Sequence, residues 1–361
     1  MDPRIAQLLE QGQSVWQDDI SRQMIESGEI ARIVAQGVRG LTSNPSIFEL
    51  ALKNSADYDE TIRRRLKAGE QDEALFFEVA LEDLRQAADL YRPIFDRTGG
   101  VDGYVSLEVS PLLAFDTAKT IAVAKMLHAK ADRPNLFIKI PGTPEGLPAI
   151  EEVIFAGVPV NVTLLFSREH YIAAADAYTK GIERRIAAGL SADIASVASV
   201  FVSRWDAAVT SKVPEAMHNT LGIAIAQRTY KAYIDLLASP RVQRTLNEGA
   251  RPQRLLWAST GTKDPKAPDT LYVQSLAAPY TVNTMPEKTL KAFADHGEVG
   301  TLMPIDGGDS EDVLARFEEA GVDLIALAAQ LQREGADSFI KSWNGLIEGI
   351  TSKSEELKKA S

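Results

Sequence analysis

The sequence has no cysteine among its 361 residues, which excludes disulfides, thiolate nucleophiles, zinc-thiolate centres and iron–sulfur clusters. Only four histidines occur, His128, His170, His218 and His296. All four fall on segments read as helical and lack metal-ligand spacing, so no metal site is expected. Long apolar runs are missing as well. The N-terminus, with Asp2, Arg4 and Glu10 among its apolar residues, has no signal-peptide core. No later stretch approaches the roughly 20 apolar residues of a membrane span. Basic residues are the minority, 39 against 50 acidic, and the net charge of −11 argues against broad nucleic-acid or membrane-surface binding. Together these absences lead to the expectation of a soluble, unprocessed, cytoplasmic protein.

What remains is an ordinary globular composition, 45% hydrophobic and 25% charged, able to bury a full core. Short runs rich in Val, Ile, Leu and Phe recur between longer helical patterns, the signature of repeated βα units and a parallel sheet. Eight strands are predicted: Ser14–Asp18, Val38–Asn44, Asp102–Val109, Asn135–Pro141, Gly157–Thr163, Ser196–Val202, Arg254–Ser259 and Tyr280–Thr284. Between them, Asp116 can cap a helix over Thr117–Ala129, and Thr143-Pro144 can open one running to Val153. Thr284 with Glu287 has capping-box spacing before a helix closed by Gly297. The long intervals Ser46–Thr98 and Val209–Ala250 read as paired helices, since no Pro/Gly/Ser-rich linker flanks them. A helical apolar pattern covers Asp312–Ile347, followed by a charged tail, Lys353–Ala360. The expected architecture is one α/β domain spanning residues 1–361, a (β/α)8 TIM barrel with helical insertions and a C-terminal helix packed on it.

Strand interiors in such a barrel are normally filled by branched aliphatics. Here polar residues stand at nearly every predicted strand end: Asp18, Asn44, Glu108, Lys139, Asn161, Thr163, Ser199 and Ser259. In a barrel these ends converge on one face. Lys139 is the most informative. It sits within the apolar run Leu136-Phe137-Ile138-Lys139-Ile140-Pro141 and shares a strand face with Phe137. Burial disfavours an ammonium and leaves the neutral amine that can attack a ketone to form an imine, without a cofactor. The plainer alternative is a strand-end lysine that snorkels or pairs with a carboxylate.

Glu108 and Asp18 supply carboxylates from two other strands. Imine chemistry needs proton relays to expel water from the carbinolamine and to deprotonate the hydroxyl next to the breaking carbon–carbon bond. Simple pairing with Lys139 or Arg39 is the competing reading. Asp19 is the weaker candidate for Asp18's role because the next residue points to the other face. Asn44, Asn161, Thr163 and Ser199 suit the hydroxyls of a polyol, although an Asn-Pro pair such as Asn44-Pro45 also begins turns. Ser203-Arg204 and Ser259-Thr260-Gly261-Thr262-Lys263 combine turn N–H groups with cationic side chains near the last strands, where barrels commonly bind phosphate. Gly142-Thr143-Pro144-Glu145-Gly146 lacks the ending of a P-loop, so no nucleotide site is expected. The four tryptophans, Trp16, Trp205, Trp257 and Trp343, read as core.

Three segments carry a resemblance: Leu41-Thr42-Ser43-Asn44-Pro45-Ser46, the Lys139 strand, and Asn161-Val162-Thr163-Leu164-Leu165-Phe166-Ser167. In this order and spacing they resemble the transaldolases, over a stretch from about Val15 to the helix after Met285. The resemblance implies that Lys139 forms a Schiff base, that Glu108 works through a bound water oriented by Thr163, and that Asp18 handles a substrate hydroxyl proton. It implies Asn44 and Asn161 as holders of the dihydroxyacetone hydroxyls, with Thr42 and Ser259 on the substrate side. Ser199, Phe201 and Arg204 stand where the family has a hydroxyl contact, an aromatic wall and a phosphate-binding arginine.

The sequence departs from the family after the seventh strand, where many transaldolases carry Ser-Phe-Arg. Here Lys263, four residues after Ser259, is the available cation, and lysine does not reproduce a bidentate arginine fork. The implied activity is transfer of a dihydroxyacetone unit between sugar phosphates in the pentose phosphate pathway. It needs no cofactor and has sugar phosphates as its partners, and a homodimer is compatible with the sequence. Two alternatives remain at this point: an aldolase like those that split fructose 6-phosphate, and a non-catalytic barrel that only binds sugar phosphates.

Overall fold

The structure is a computed structural model that describes residues 1–359. Eight parallel strands close into a barrel in simple sequence order: β1 Gln13–Asp18, β2 Leu41–Thr42, β3 Val105–Glu108, β4 Leu136–Pro141, β5 Val160–Leu165, β6 Ser196–Phe201, β7 Arg254–Ala258 and β8 Thr281–Met285. Each strand pairs with the next, and β8 returns to β1. All eight expected strands are present. β2 is shortened most, keeping only Leu41–Thr42 of the expected Val38–Asn44, and β5 lies further along the chain than the expected Gly157–Thr163. Asn44 has left the sheet to cap the next helix, its Oδ1 accepting from the Ile47 N–H at 3.1 Å.

Period-two alternation sets what the barrel encloses. On β1, Ser14, Trp16 and Asp18 share the inward face. Ser14 Oγ and Trp16 Nε1 both donate to Asp102, at 2.6 and 3.1 Å, and Asp18 ends the strand at the opposite mouth. Trp16, Phe137, Val197, Leu256 and Val282 belong to one buried cluster, so the barrel's lower part is a packed apolar core. A second and larger cluster lies between the strands and the surrounding helices. All four tryptophans are fully buried.

The helices follow the sequence signals with some corrections. Asp116 caps Thr117–Ala131 as expected, accepting from the Lys119 N–H at 3.0 Å. The helix expected from Thr143 begins at Gly146 instead and runs to Phe155. Thr143 Oγ1 accepts from the Gly146 N–H and so closes a turn ahead of it. No capping box forms at Thr284. That residue lies within β8, its hydroxyl is bonded to Thr42, and the helix Glu287–His296 starts after Pro286 and ends at Gly297. The interval Ser46–Thr98 falls in three helices rather than two, and Val209–Ala250 holds two helices and a 3-10 turn. His218 closes that turn rather than lying in a helix.

The C-terminal pattern resolves into Ser310–Glu319 and a helix of 36 residues, Leu324–Lys359. The charged segment from Lys353 continues this helix, apart from Ala360, which lies outside the described residues. Gln332 of this helix donates to the carbonyls of Gly142 and Leu164, just past the ends of β4 and within β5, so the helix covers the C-terminal mouth of the barrel. Among the described residues no helix is long and apolar enough to cross a membrane.

Candidate active site

The C-terminal ends of the strands bring the expected polar residues together. One cleft of about 150 Å³ is lined by Asp18, Thr42, Asn44, Lys139, Thr163, Ser199, Phe201, Arg204, Ser259 and Lys263, with Thr284 and Phe339 completing its wall. Asn161 and Glu108 lie beneath it, linked to its lining by direct contacts.

Lys139 is 5% exposed. Its Nζ donates to the Ser43 carbonyl at 2.8 Å and stands 3.1 Å from Glu108 Oε2. Burial and ion pairing, posed as alternatives by the sequence, therefore occur together. Arg39 takes no part in this pair, and among the described residues it forms no ion pair at all. Burial pushes the Glu108 carboxyl up from the ordinary carboxylate range; the nearby Lys139 charge opposes this and Asp18 adds to it. Its Oε1 is buried without a hydrogen-bond donor among the described residues, as is Thr163 Oγ1.

Asp18 is raised in the same way, by burial first, against the lowering effects of Lys139 and of the Thr42 hydroxyl that donates to it at 2.7 Å. The Thr42 and Thr284 hydroxyls are also 2.7 Å apart. Asp19 does not line the Lys139 cleft; it lines a neighbouring one with Glu29, Asp57, Tyr58 and Glu287, which Asp18 borders as well. Its carboxyl is pushed up to about 6 by burial and by the acidic groups around it. The alternation argument that set Asp18 above Asp19 agrees with this placement.

Below the lysine, Ser199 Oγ donates to Asn161 Oδ1 at 2.7 Å, and Asn161 Nδ2 donates to Ser106 Oγ at 3.3 Å. This chain fixes the amide orientation and so decides which groups a ligand meets. On the far wall, the Arg204 guanidinium lies 5.3 Å from the Phe201 ring centroid and 6.0 Å from that of Phe339. It has no carboxylate within salt-bridge distance among the described residues, and burial pushes it below the usual guanidinium range. Lys263 is exposed at the same end. Ser259 lies just past β7 with φ 54, its hydroxyl 2.9 Å from that of Ser203. The cleft is therefore asymmetric, with amine, carboxylates and amides at its floor and two cations at one end.

Sequence reasoning missed four contributors: the Ser43 carbonyl, Thr284, Gln332 and Phe339. Thr284 was mistaken for a cap because its spacing to Glu287 fits one. Gln332 and Phe339 sit on a helix whose apolar period reads as packing, and no local signal says that it crosses the barrel mouth. The Asn161–Ser167 segment also proves to be partly structural. Leu164 and Phe166 join the inner cluster, and Ser167 caps the next helix, accepting from the His170 N–H at 3.1 Å.

Comparison with known proteins agrees with this arrangement. A family model described as Transaldolase/Fructose-6-phosphate aldolase matches residues 15–350, and so takes in most of the C-terminal helix. A protein named transaldolase from Parafrankia sp. (strain EAN1pec) is 45% identical over 364 residues, covering 97% of this chain and 98% of the relative. One from Saccharopolyspora erythraea is 46% identical with the same coverage, and one from Mycolicibacterium smegmatis is 42% identical over 99% of both chains. The chain belongs to the transaldolase/fructose-6-phosphate aldolase family.

Proposed function

We propose that this chain is a transaldolase, a single (β/α)8 barrel domain with one active site. It moves a dihydroxyacetone unit from fructose 6-phosphate or sedoheptulose 7-phosphate to an aldose phosphate through an imine on Lys139. The observation that carries this reading is the buried Lys139 amine, 3.1 Å from Glu108, at the floor of a cleft whose far end holds Arg204 and Lys263.

Transfer of a proton from Nζ to Glu108 leaves a neutral amine that attacks the substrate ketone. The carbinolamine loses water as Glu108 returns the proton, through a water oriented by Thr163, and the imine forms. Asp18 then takes the proton of the substrate hydroxyl beside the C3–C4 bond. That bond breaks, its electron pair moves into the imine as an enamine, and the aldose phosphate leaves. An acceptor aldehyde reverses these steps. Asn44 and Asn161 hold the hydroxyls of the retained three carbons, with Thr42 behind Asp18. Ser199 and Phe201 line the path to Arg204, Lys263 and Ser259, which take the phosphate. The cysteine-free composition suits a reducing cytosol.

An aldolase that releases free dihydroxyacetone would use the same lysine, and the family description includes such enzymes. The near-complete coverage of relatives named transaldolase favours the transferase. To separate them, glyceraldehyde 3-phosphate production from fructose 6-phosphate is followed with and without erythrose 4-phosphate. Sustained release only with the acceptor, lost in Lys139→Met, is the expected outcome. Sustained release without acceptor makes the protein an aldolase, and activity in Lys139→Met ends the Schiff-base reading.

A further inference from the structure

We propose that Gln332, on the C-terminal helix, is a positioning residue for the reaction: its side-chain amide ties together the ends of the two strands that carry Lys139 and Thr163. The proposal rests on the function proposed above. It begins from an irregularity in β5. Against β6, Asn161 pairs with Val197 and Val162 with Ala198, but Leu165 pairs with Val200. Three steps on β5 thus span two on β6, a bulge with one extra residue.

At the bulge Leu164 has φ 59. For a leucine this left-handed conformation costs about 1–2 kcal/mol and persists only where the surroundings enforce it. Four contacts do so. Gly142 N–H donates to the Thr163 carbonyl at 2.7 Å. Gln332 Nε2 donates to both the Leu164 and the Gly142 carbonyls, at 3.0 Å each. The Leu164 side chain is buried beneath the helix, close enough that a Cβ on Gly335 would lie 2.9 Å from its Cδ2.

The bulge decides where side chains point. In a regular strand Thr163 and Leu165 would share the inward face. Here Leu164 joins the inner cluster with Phe166 and Phe201, and Leu165 joins the outer one. Without the Gln332 amide, two buried carbonyls lose a donor and the strained turn loses its clamp. Relaxation toward a regular strand would re-aim Thr163, one residue before Leu164, and shift β4 at Gly142, three residues after Lys139. Displacements on the order of 1 Å at reacting groups cost about 100-fold in rate. Arg204 packs on Phe339 and close to Gly335 of the same helix rather than on Gln332, and Gln332→Met leaves both in place, so phosphate binding is spared.

The test measures kcat and KM for fructose 6-phosphate in the full-length protein, with erythrose 4-phosphate as acceptor, alongside borohydride trapping of the imine and thermal unfolding. Gln332→Met keeps the length and removes both donors. Expected is a loss in kcat of roughly 10- to 100-fold, with slowed trapping and KM within about threefold of the unsubstituted value. Gln332→Glu adds a signature that packing alone cannot give. Its ionised carboxylate repels both carbonyls, and its protonated form donates to one, so its kcat relative to the unsubstituted protein rises as pH falls.

A normal kcat in Gln332→Met, a loss confined to KM, or a Gln332→Glu ratio flat with pH overturns the proposal. Lys139→Met is run in parallel. If it is inactive and untrapped while Gln332→Met is normal, only the positioning role fails. If Lys139→Met stays active, the Schiff-base reading fails and this proposal falls with it.

Discussion

Glu108 and Lys139 are Cα partners in the β3–β4 register, and their carboxylate and amine meet 3.1 Å apart with both side chains almost fully buried. Parallel pairing at this one position aims the two groups at the same point of the barrel mouth, so a proton can pass between them without movement of either strand. Burial raises Glu108, and Asp18 across the cleft is raised as well. In the proposed mechanism both act as bases in their ionised forms. Activity therefore increases as pH rises through these raised values, and the acid limb of the kcat/KM profile lies above the ordinary carboxylate range. Glu108→Gln is expected to lower kcat by about 10²- to 10⁴-fold and to leave a limb that belongs to Asp18 alone. Steady-state rates across pH in both proteins check this.

Asn44 performs two tasks that substitution can separate. Its Oδ1 caps the helix Pro45–Asn54, while the residue also lines the cleft beside Lys139. Aspartate caps as well as asparagine does, but it cannot donate to a substrate oxygen. Asn44→Asp is expected to unfold near the normal temperature yet lose at least about tenfold in kcat/KM, the equivalent of one missing hydrogen bond. Asn44→Ala loses the same activity and about 1 kcal/mol of stability besides. Thermal melts and kinetics of the pair give the answer.

The barrel was legible because most strands carry a short apolar run bounded by turn or cap residues, and because polar residues interrupt those runs where an aliphatic is expected. Asp18, Glu108, Lys139, Asn161, Thr163 and Ser199 could be placed on one mouth because strand ends converge on one face of a barrel, with alternation deciding which way Lys139 and Asp18 point. The rest is not a local property of the chain. Leu164 carries no sign of its left-handed backbone, since leucine is not a residue that favours it. Gln332 and Phe339 reach the site only because a 36-residue helix returns across the barrel, and a helix's period reports its buried face but not its partner. Thr284 failed for a different reason, as capping-box spacing and an inward-facing strand hydroxyl look the same in sequence.

Arg204 and Lys263 should differ in what they contribute to phosphate binding. The Arg204 guanidinium is held between Phe201 and Phe339 and is largely buried, whereas Lys263 is an exposed ammonium on the loop after β7. A shielded, preoriented cation makes the stronger charge-assisted bonds, and an exposed one is screened by salt. Arg204→Ala is expected to lower kcat/KM by roughly 100-fold, mostly through KM, in line with a loss of about 3 kcal/mol. Lys263→Ala should cost about tenfold or less, and that loss should shrink as ionic strength rises. The two responses are compared at low and high salt with fructose 6-phosphate.

Gly335 offers a test of the C-terminal helix as a wall of the cationic end of the cleft. A Cβ there would lie 3.2 Å from Arg204 Nη1 and 2.9 Å from Leu164 Cδ2. Alanine is the better helix former by about 1 kcal/mol, so the local gain opposes the crowding and overall stability should change little. Leu164 is confined by the inner cluster, and the guanidinium is the freer of the two neighbours. Gly335→Ala is therefore expected to push Arg204 off its place between the rings, raising KM for fructose 6-phosphate several-fold while the melting temperature stays within a few degrees. A stable variant with unchanged KM would mean that the helix can lift without disturbing Arg204, and that the arginine is held by Phe201 alone.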